Sequence, residues 1–367
     1  MPDIERVAIT TGGGDAPGLN AVIRAVVIAC EKRSWECFGI LDGYDGLLAP
    51  ERHAEGGLRR LGRESVRGIT HLGGTILGTT NRGDPFRFPT KRADGEVAFT
   101  DRSDDLLRAF EEQRLDALVA VGGDGSLAIA DRLAKKGLTV VGVPKTIDND
   151  LDQTVVTFGF DSAVSFATEC LDRLHSTAEA HERVIVVEVM GRYAGWIALH
   201  AGIAGSADVI LLPEIPYDAE SVAAKIRERY GRGREFGIVI VAEGAAPRGG
   251  APSVVERRKG VAERLGGVGS IVAAEISRMT GRESRVVVLG HLLRGGQPTS
   301  RDRILSLRFG AAAVRALEEG KTGQMVALDP PIVRYVPLEL ATKRMKAVPL
   351  DCDTVQTARD LGICLGD

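Results

Sequence analysis

Short apolar runs, each closed by a polar or glycine-rich turn and followed by a helical pattern, recur along this chain and restrict it to few folds. "RVAITT" (6–11) leads through a glycine turn into "LNAVIRAVVIAC", and "LDALVAV" (115–121) leads through a second into "LAIADRLAKKG". "LTVVGVP" (138–144) runs into "KTIDND". Further runs are "RVIVVEV" (183–189), "ADVILLP" (207–213), "FGIVIVAE" (236–243) and "RVVVLGH" (285–291), with helical stretches such as "SAVSFATECLDRLHSTAEAH" between them. A strand that is apolar along its whole length is buried on both faces, so parallel sheets covered by helices are expected. The predicted fold class is α/β, with two doubly wound, mostly parallel-sheet, Rossmann-like domains. The 367 residues suit two domains of ordinary size. In this architecture ligands bind beyond the carboxyl ends of the strands, and the polar clusters lie at strand ends. Regions 49–70 and 81–104 read as polar excursions. The last roughly 45 residues have weaker periodicity.

A net charge of −3, with 44% hydrophobic and 26% charged residues, describes an ordinary soluble globular chain. It gives no bulk attraction to nucleic acid or to a membrane surface. Cys30, Cys37, Cys170, Cys352 and Cys364 are scattered, with no C-x-x-C pair. That pattern suits a reducing compartment rather than a disulfide framework or a zinc site. "MPDIERVAITTGG" carries no basic-plus-apolar signal segment, and no apolar run approaches the roughly 20 residues that cross a bilayer. A cytoplasmic protein is expected.

Four clusters carry chemistry. In "TTGGGDAPGLN" (10–20), glycines between a strand and a helix let backbone N–H groups approach an anion, and Pro17 and Asn20 suit the helix start. It is not G-x-G-x-x-G, which disfavours the usual dinucleotide fold. A plain βα turn would look similar. In "VGGDGSLAIA" (121–130), Asp124 lies between glycine pairs and Ser126 opens a helix. A carboxylate beside a phosphate chain suits Mg²⁺; a helix cap is the blander role, but it does not need glycine on both sides. In "PKTIDND" (144–150), Asp148 and Asp150 face the same way if the segment is extended. Two facing carboxylates repel, so a partner such as Lys145 or a metal is expected. A base set against a hydroxyl is what phosphoryl transfer to an alcohol needs; a loop of Asx turns is the alternative. The fourth cluster gathers Arg183, "MGR" (190–192), Glu243, Arg285, His291 and Arg294 around strands. Guanidinium for phosphate and carboxylate for hydroxyls is a sugar-phosphate set.

"GGDAPGLN", "GGDGS", "PKTIDND", "VVEVMGRYAG" and "VLGHLLRGG", in this order, resemble the 6-phosphofructokinase family. The resemblance runs from about residue 6 to 320, with a weaker tail. It implies a kinase that moves the ATP γ-phosphoryl group to the 1-hydroxyl of fructose 6-phosphate. The implied domains are 1–159 with 293–343 for the phosphoryl donor and 160–292 with 344–367 for the sugar phosphate, with the active site between them. A homo-oligomer, dimer or tetramer, with shared sites is also implied. By this resemblance Asp148 matches the base, Thr146 a contact to the transferred group, and Arg192 the arginine of the transition state. Asp124 matches the Mg²⁺ ligand. Gly13, Gly14, Gly123, Gly125, Ser126 and Lys145 fall at the donor. Thr146, Ile147, Asp148, Met190, Gly191, Arg192 and Glu243 fall at the sugar. His291, Leu292, Leu293 and Arg294 fall near the 6-phosphate, and Arg183 and Arg285 match arginines that reach across from a neighbouring subunit.

Two departures follow. Where the family carries a nucleotide arginine after "GGTILG", this chain has Asn81, with Arg82 one residue later. Effector-site arginines of the allosteric bacterial branch are replaced by Ile28 and His175, while Arg24 is kept, so weak regulation by ADP or phosphoenolpyruvate is expected. Donor type is mixed: Gly125 matches ATP enzymes, whereas Lys145 matches pyrophosphate enzymes. Glycine leaves room for an α-phosphate that an aspartate would block and repel. ATP is therefore the expected main donor, with a pyrophosphate-dependent phosphotransferase as the alternative. NAD kinases and diacylglycerol kinases share "GGDG" but lack "TIDND" and "MGR". A non-catalytic sugar-phosphate sensor would lose Asp124 or Asp148, and both are present.

Overall fold

The structure, a computed structural model, describes residues 4–54, 56–81, 83–91, 97–256 and 264–367. The chain forms two compact units. The first comprises Met1–Thr146, Leu151–Gly159 and Arg294–Met345, and the second Ile147–Asp150, Phe160–Leu293 and Lys346–Asp367.

The first unit is built on an eight-stranded sheet among the described residues. Its spatial order is Ile332–Pro337, Gln324–Asp329, Val140–Thr146, Ala117–Gly122, Arg6–Thr11, Glu36–Ile40 and Leu58–Leu61, with Phe158–Gly159 paired beside Lys145 and Thr146. The central strands are parallel, and the two edges, Ile332–Pro337 and Leu58–Leu61, are antiparallel. The central strands are apolar at successive positions because both faces are covered: Leu118, Ala120 and Val140 join a core with Leu127, Leu133 and Leu338. Val7, Ile9, Val119 and Val141, which alternate with them, are fully buried as well. The "excursion" 49–70 contributes the edge strand Leu58–Leu61, and 81–104 contributes the hairpin strands Phe88–Lys91 and Val97–Thr100.

The second unit carries a four-stranded parallel sheet in the order Val209–Leu211, Gly237–Ala242, Val184–Val189, Ser284–Val288. Val184, Val186, Val239 and Val241 pack with Ile226, Val272 and Ile276 from flanking helices. The expectation of burial on both faces fails for Ser284–Val288. It is an edge strand, and Val288 is 56% exposed. All five cysteines are free thiols, and no described helix is long and apolar enough to cross a membrane.

Candidate active site

In the first unit the strand order reverses between Arg6–Thr11 and Ala117–Gly122. Loops leaving adjacent strands at such a point diverge and open a crevice. The two loops here are the glycine turns at 12–14 and 122–125. Gly12 N donates to Val121 O at 2.9 Å and Gly13 N to Thr80 O at 3.2 Å, while Thr79 Oγ1 donates to Gly13 O at 2.6 Å. A Cβ at Gly13, whose φ is +78°, would lie 3.5 Å from Lys145 Nζ, 3.6 Å from Ser126 Oγ and 3.9 Å from Asn81 Oδ1. At Gly14 a Cβ would collide with the Arg294 guanidinium. Lys145, only 4% exposed, donates from Nζ to Gly14 O. Gly13, Gly14, Ser126, Lys145, Asn81 and Arg294 are thus brought together. Arg294 stands at the glycine turn, a neighbourhood its sequence context did not indicate. Arg82 lies outside the described residues.

Asp124 opens the helix Asp124–Lys135, with Gly123 as N-cap and no side-chain capping bond. Its exposed carboxylate is therefore not spent as a cap. A Cβ at Gly125, the next residue, would meet nothing within 4 Å. Among the described residues no group of three or more His, Cys, Asp or Glu is placed to hold a metal ion. One exposed carboxylate after a glycine turn is a donor set that fits Mg²⁺ arriving on phosphate oxygens, because that ion keeps its waters and uses one or two protein carboxylates. Asn20 stands in the first turn of its helix, as expected, and its side chain has a further task. The helix begins at Leu19 after Gly18, and the Asn20 amide bonds Leu72 O, Gly73 O and Ile76 N, tying down the loop before "GTTN".

In the second unit, Ile147–Asp150 is turned, so the condition under which Asp148 and Asp150 would face the same way is not met. The strand ends at Thr146, a turn follows, and Asn149 is left-handed at φ +52°. Strand alternation therefore does not set the directions of Asp148 and Asp150. Ile147 is a core side chain, 3% exposed, and Asp148 is half-buried. The turns after Val184–Val189 and Gly237–Ala242 are stitched together: Glu243 N donates to Val189 O at 2.9 Å and Gly244 N to Gly191 O at 3.1 Å. This pairing sets Met190, Gly191 and Arg192 beside Glu243. A Cβ at Gly244 would collide with Arg192 O, so the close approach requires glycine. The Arg192 guanidinium lies 5.0 Å over the Tyr193 ring, and its Nε is buried with no hydrogen-bond partner among the described residues.

Arg183 and Arg285 meet through a residue that the sequence reading passed over. Glu283 accepts from Arg183 Nε at 2.8 Å with one oxygen and pairs with Arg285 through the other. The Arg183 hydrogen bond, with Arg285 beside it, holds the Glu283 carboxyl below the usual carboxylate range. Two guanidiniums around one carboxylate leave a net positive charge and most of their donors open. The charge run "GRESR" was the available signal. His291 and Leu292 are exposed on the short 3₁₀ helix Gly290–Arg294, whereas the Leu293 side chain is core, 1% exposed. Glu188, inside "VVEVMGR", points away from this chemistry. It is 3% exposed and accepts from Gly267 N at 3.0 Å and Gly269 N at 2.8 Å, at the start of the helix Val268–Thr280.

A family profile described as phosphofructokinase matches residues 6–317. The ATP-dependent 6-phosphofructokinase of Chloroflexus aggregans is 50% identical over 363 residues, covering 99% of this chain and 98% of that protein. The pyrophosphate–fructose 6-phosphate 1-phosphotransferase of Amycolatopsis mediterranei is 48% identical over 350 residues, covering 94% of this chain and 97% of that protein. Phosphofructokinase from Pichia pastoris in the T-state is similar in fold, with a TM-score of 0.79 at 30% identity. That alignment takes in 99% of this chain and 37% of the yeast chain, so this chain spans little more than a third of its length. The match contains every cluster described above, from the first glycine turn to Arg294, and this chain belongs to the phosphofructokinase family.

Proposed function

We propose that this chain is an ATP-dependent 6-phosphofructokinase, moving the γ-phosphoryl group of ATP to the 1-hydroxyl of fructose 6-phosphate. The products are fructose 1,6-bisphosphate and ADP. The first unit takes the donor and the second the sugar phosphate. Asp148 accepts the proton of the 1-hydroxyl as its oxygen attacks the γ-phosphorus, and the bond from that phosphorus to the β–γ bridging oxygen breaks. Arg192 and Thr146 meet the oxygens of the group in transit. Met190, Gly191 and Glu243 hold the sugar, and His291, with the backbone of Leu292 and Leu293, serves the 6-phosphate, while Arg294 acts from the glycine turn where its guanidinium stands. Asp124 would hold Mg²⁺, which when bound would supply neutralisation of phosphate charge.

The observation that carries the choice of donor is the open space at Gly125. A nucleotide places its α-phosphate and nucleoside where pyrophosphate has nothing, and an aspartate there would fill and repel that position. Lys145 favours the second reading, pyrophosphate. Its ammonium, however, is bonded to the Gly14 carbonyl at the glycine turn, a position that serves the terminal phosphates of either donor. The test is kcat/KM for each donor with Mg²⁺ on the unmodified protein. ATP is expected to be the better donor. Pyrophosphate better by tenfold, about 1.4 kcal/mol of transition-state preference, would overturn the choice.

The active form is a homo-oligomer in which Arg183 and Arg285 serve a neighbour's sugar phosphate. Regulation by ADP or phosphoenolpyruvate is weak in this reading. His175 stands where an effector arginine would, and its Nε2 is engaged with Gly205 O at 2.7 Å while its ring packs edge-on against Phe236.

A further inference from the structure

We infer that Lys346 is a positioning residue for the loop that carries Asp148, acting through Asn149. Lys346 belongs to the C-terminal segment, beyond the stretch matched by the family profile. Its Nζ donates to Asn149 Oδ1 at 2.8 Å. Its backbone N donates to Asp150 O at 2.8 Å. Its own carbonyl accepts from Trp196 Nε1 at 2.9 Å, and the ammonium lies 5.7 Å over the Trp196 ring. A single residue thus grips both residues that follow Asp148 and is itself anchored to the helix Trp196–Ala204.

The grip has a conformational purpose. Asn149 is left-handed and buried, at φ +52° and 4% exposed. Such a backbone is uncommon for a residue with a Cβ, and asparagine adopts it more readily than most because its side chain hydrogen-bonds nearby. An ammonium only donates, so it selects Oδ1 of the Asn149 amide and thereby its orientation. The amide and the next carbonyl are both held by Lys346, which constrains the turn on the side that follows Asp148. A base must sit within hydrogen-bond reach of its proton, and displacement by about 1 Å can cost on the order of 10²-fold.

This inference rests on the proposed role of Asp148 as base, and the experiment separates the two. Lys346→Met is expected to lower kcat by about 10- to 100-fold, with KM for both substrates held within about threefold, since the inferred role of Lys346 is to hold the loop rather than a substrate. Lys346→Arg, which keeps a cationic donor, should recover part of the loss. Asn149→Gly, which tolerates the left-handed turn but removes the acceptor, should give a similar loss. The double variant should be no worse than the more damaged single one, because both cut the same link. A Lys346→Met enzyme with kcat near that of the unmodified protein, or fully additive losses in the double variant, would overturn the inference. So would a rise in KM at unchanged kcat. If Lys346→Met does not fold, Asn149→Gly and Lys346→Arg decide, and full kcat in Asn149→Gly overturns it. Asp148→Asn is the control: near-normal kcat there would sink the base assignment itself. Loss in Asp148→Asn with none in Lys346→Met would sink this inference alone.

Discussion

Gly125 is the residue on which the proposed choice of donor turns. It is the second residue of the helix Asp124–Lys135, exposed, outside the left-handed region, and a Cβ there meets nothing within 4 Å. An aspartate in the first helical turn also suits the helix dipole. Gly125→Asp is therefore expected to fold normally, and any loss can be assigned to the ligand. The prediction is a fall in kcat/KM for ATP of at least about tenfold, or about 1.4 kcal/mol, with KM for fructose 6-phosphate little changed. Steady-state kinetics with each substrate varied would check it, and undiminished ATP use would show that this space is not where the nucleotide lies. Gly14 is the opposite case. Its Cβ position is taken by the Arg294 guanidinium, so substitution there disturbs the site directly.

At the scale of elements, the site is made from strand ends, and buried polar side chains determine how neighbouring elements meet. Glu188 is the clearest example. It stands on the strand Val184–Val189, is 3% exposed, and receives two backbone N–H groups at the start of the helix Val268–Thr280. Those N–H groups have no partner inside their own helix. Removing the acceptor leaves buried donors unpaired, which costs about 1–3 kcal/mol. Glu188→Ala should lower stability by that amount in a denaturant titration, with Glu188→Gln milder because an amide oxygen still accepts. A loss below about 0.5 kcal/mol, the scale of an ordinary surface change, would mean that this cap does little to hold the helix.

At the scale of the whole molecule, Arg183, Glu283 and Arg285 raise the question of assembly. Arg285 lies on the edge strand Ser284–Val288, where Val288 is 56% exposed, and the exposed Leu292 follows shortly after. An edge strand with open apolar side chains is a surface that chains cover by association. This matches the proposed sharing of sugar-phosphate sites between copies. If Arg183 serves a neighbour, mixing Arg183→Ala subunits with Asp148→Asn subunits places an intact Arg183 opposite an intact Asp148 in some sites. Activity should then exceed the average of the two parents, measured on oligomers shown to contain both. No gain in such mixed oligomers would place Arg183 in its own subunit's site.

The α/β class, most strand positions and the two glycine turns were legible in the sequence because they are written locally. A continuous apolar run reports burial on both faces, and glycines at its end report a close backbone approach, wherever the rest of the chain lies. Partnerships distant along the chain had no such record. Lys346 meets Asn149 across 197 residues and Glu283 meets Arg183 across 100. A lysine in a weakly periodic tail and a glutamate in a charge run look like solvated surface until the fold closes those loops. The strand Ser284–Val288 reads as a buried one, yet its place at the edge of the sheet was decided by topology. The turn at Asn149 follows the same logic. "TIDND" permits an extended or a turned backbone, and the turned one is bonded at Asn149 by Lys346, which is itself bonded to Trp196, both from distant parts of the chain.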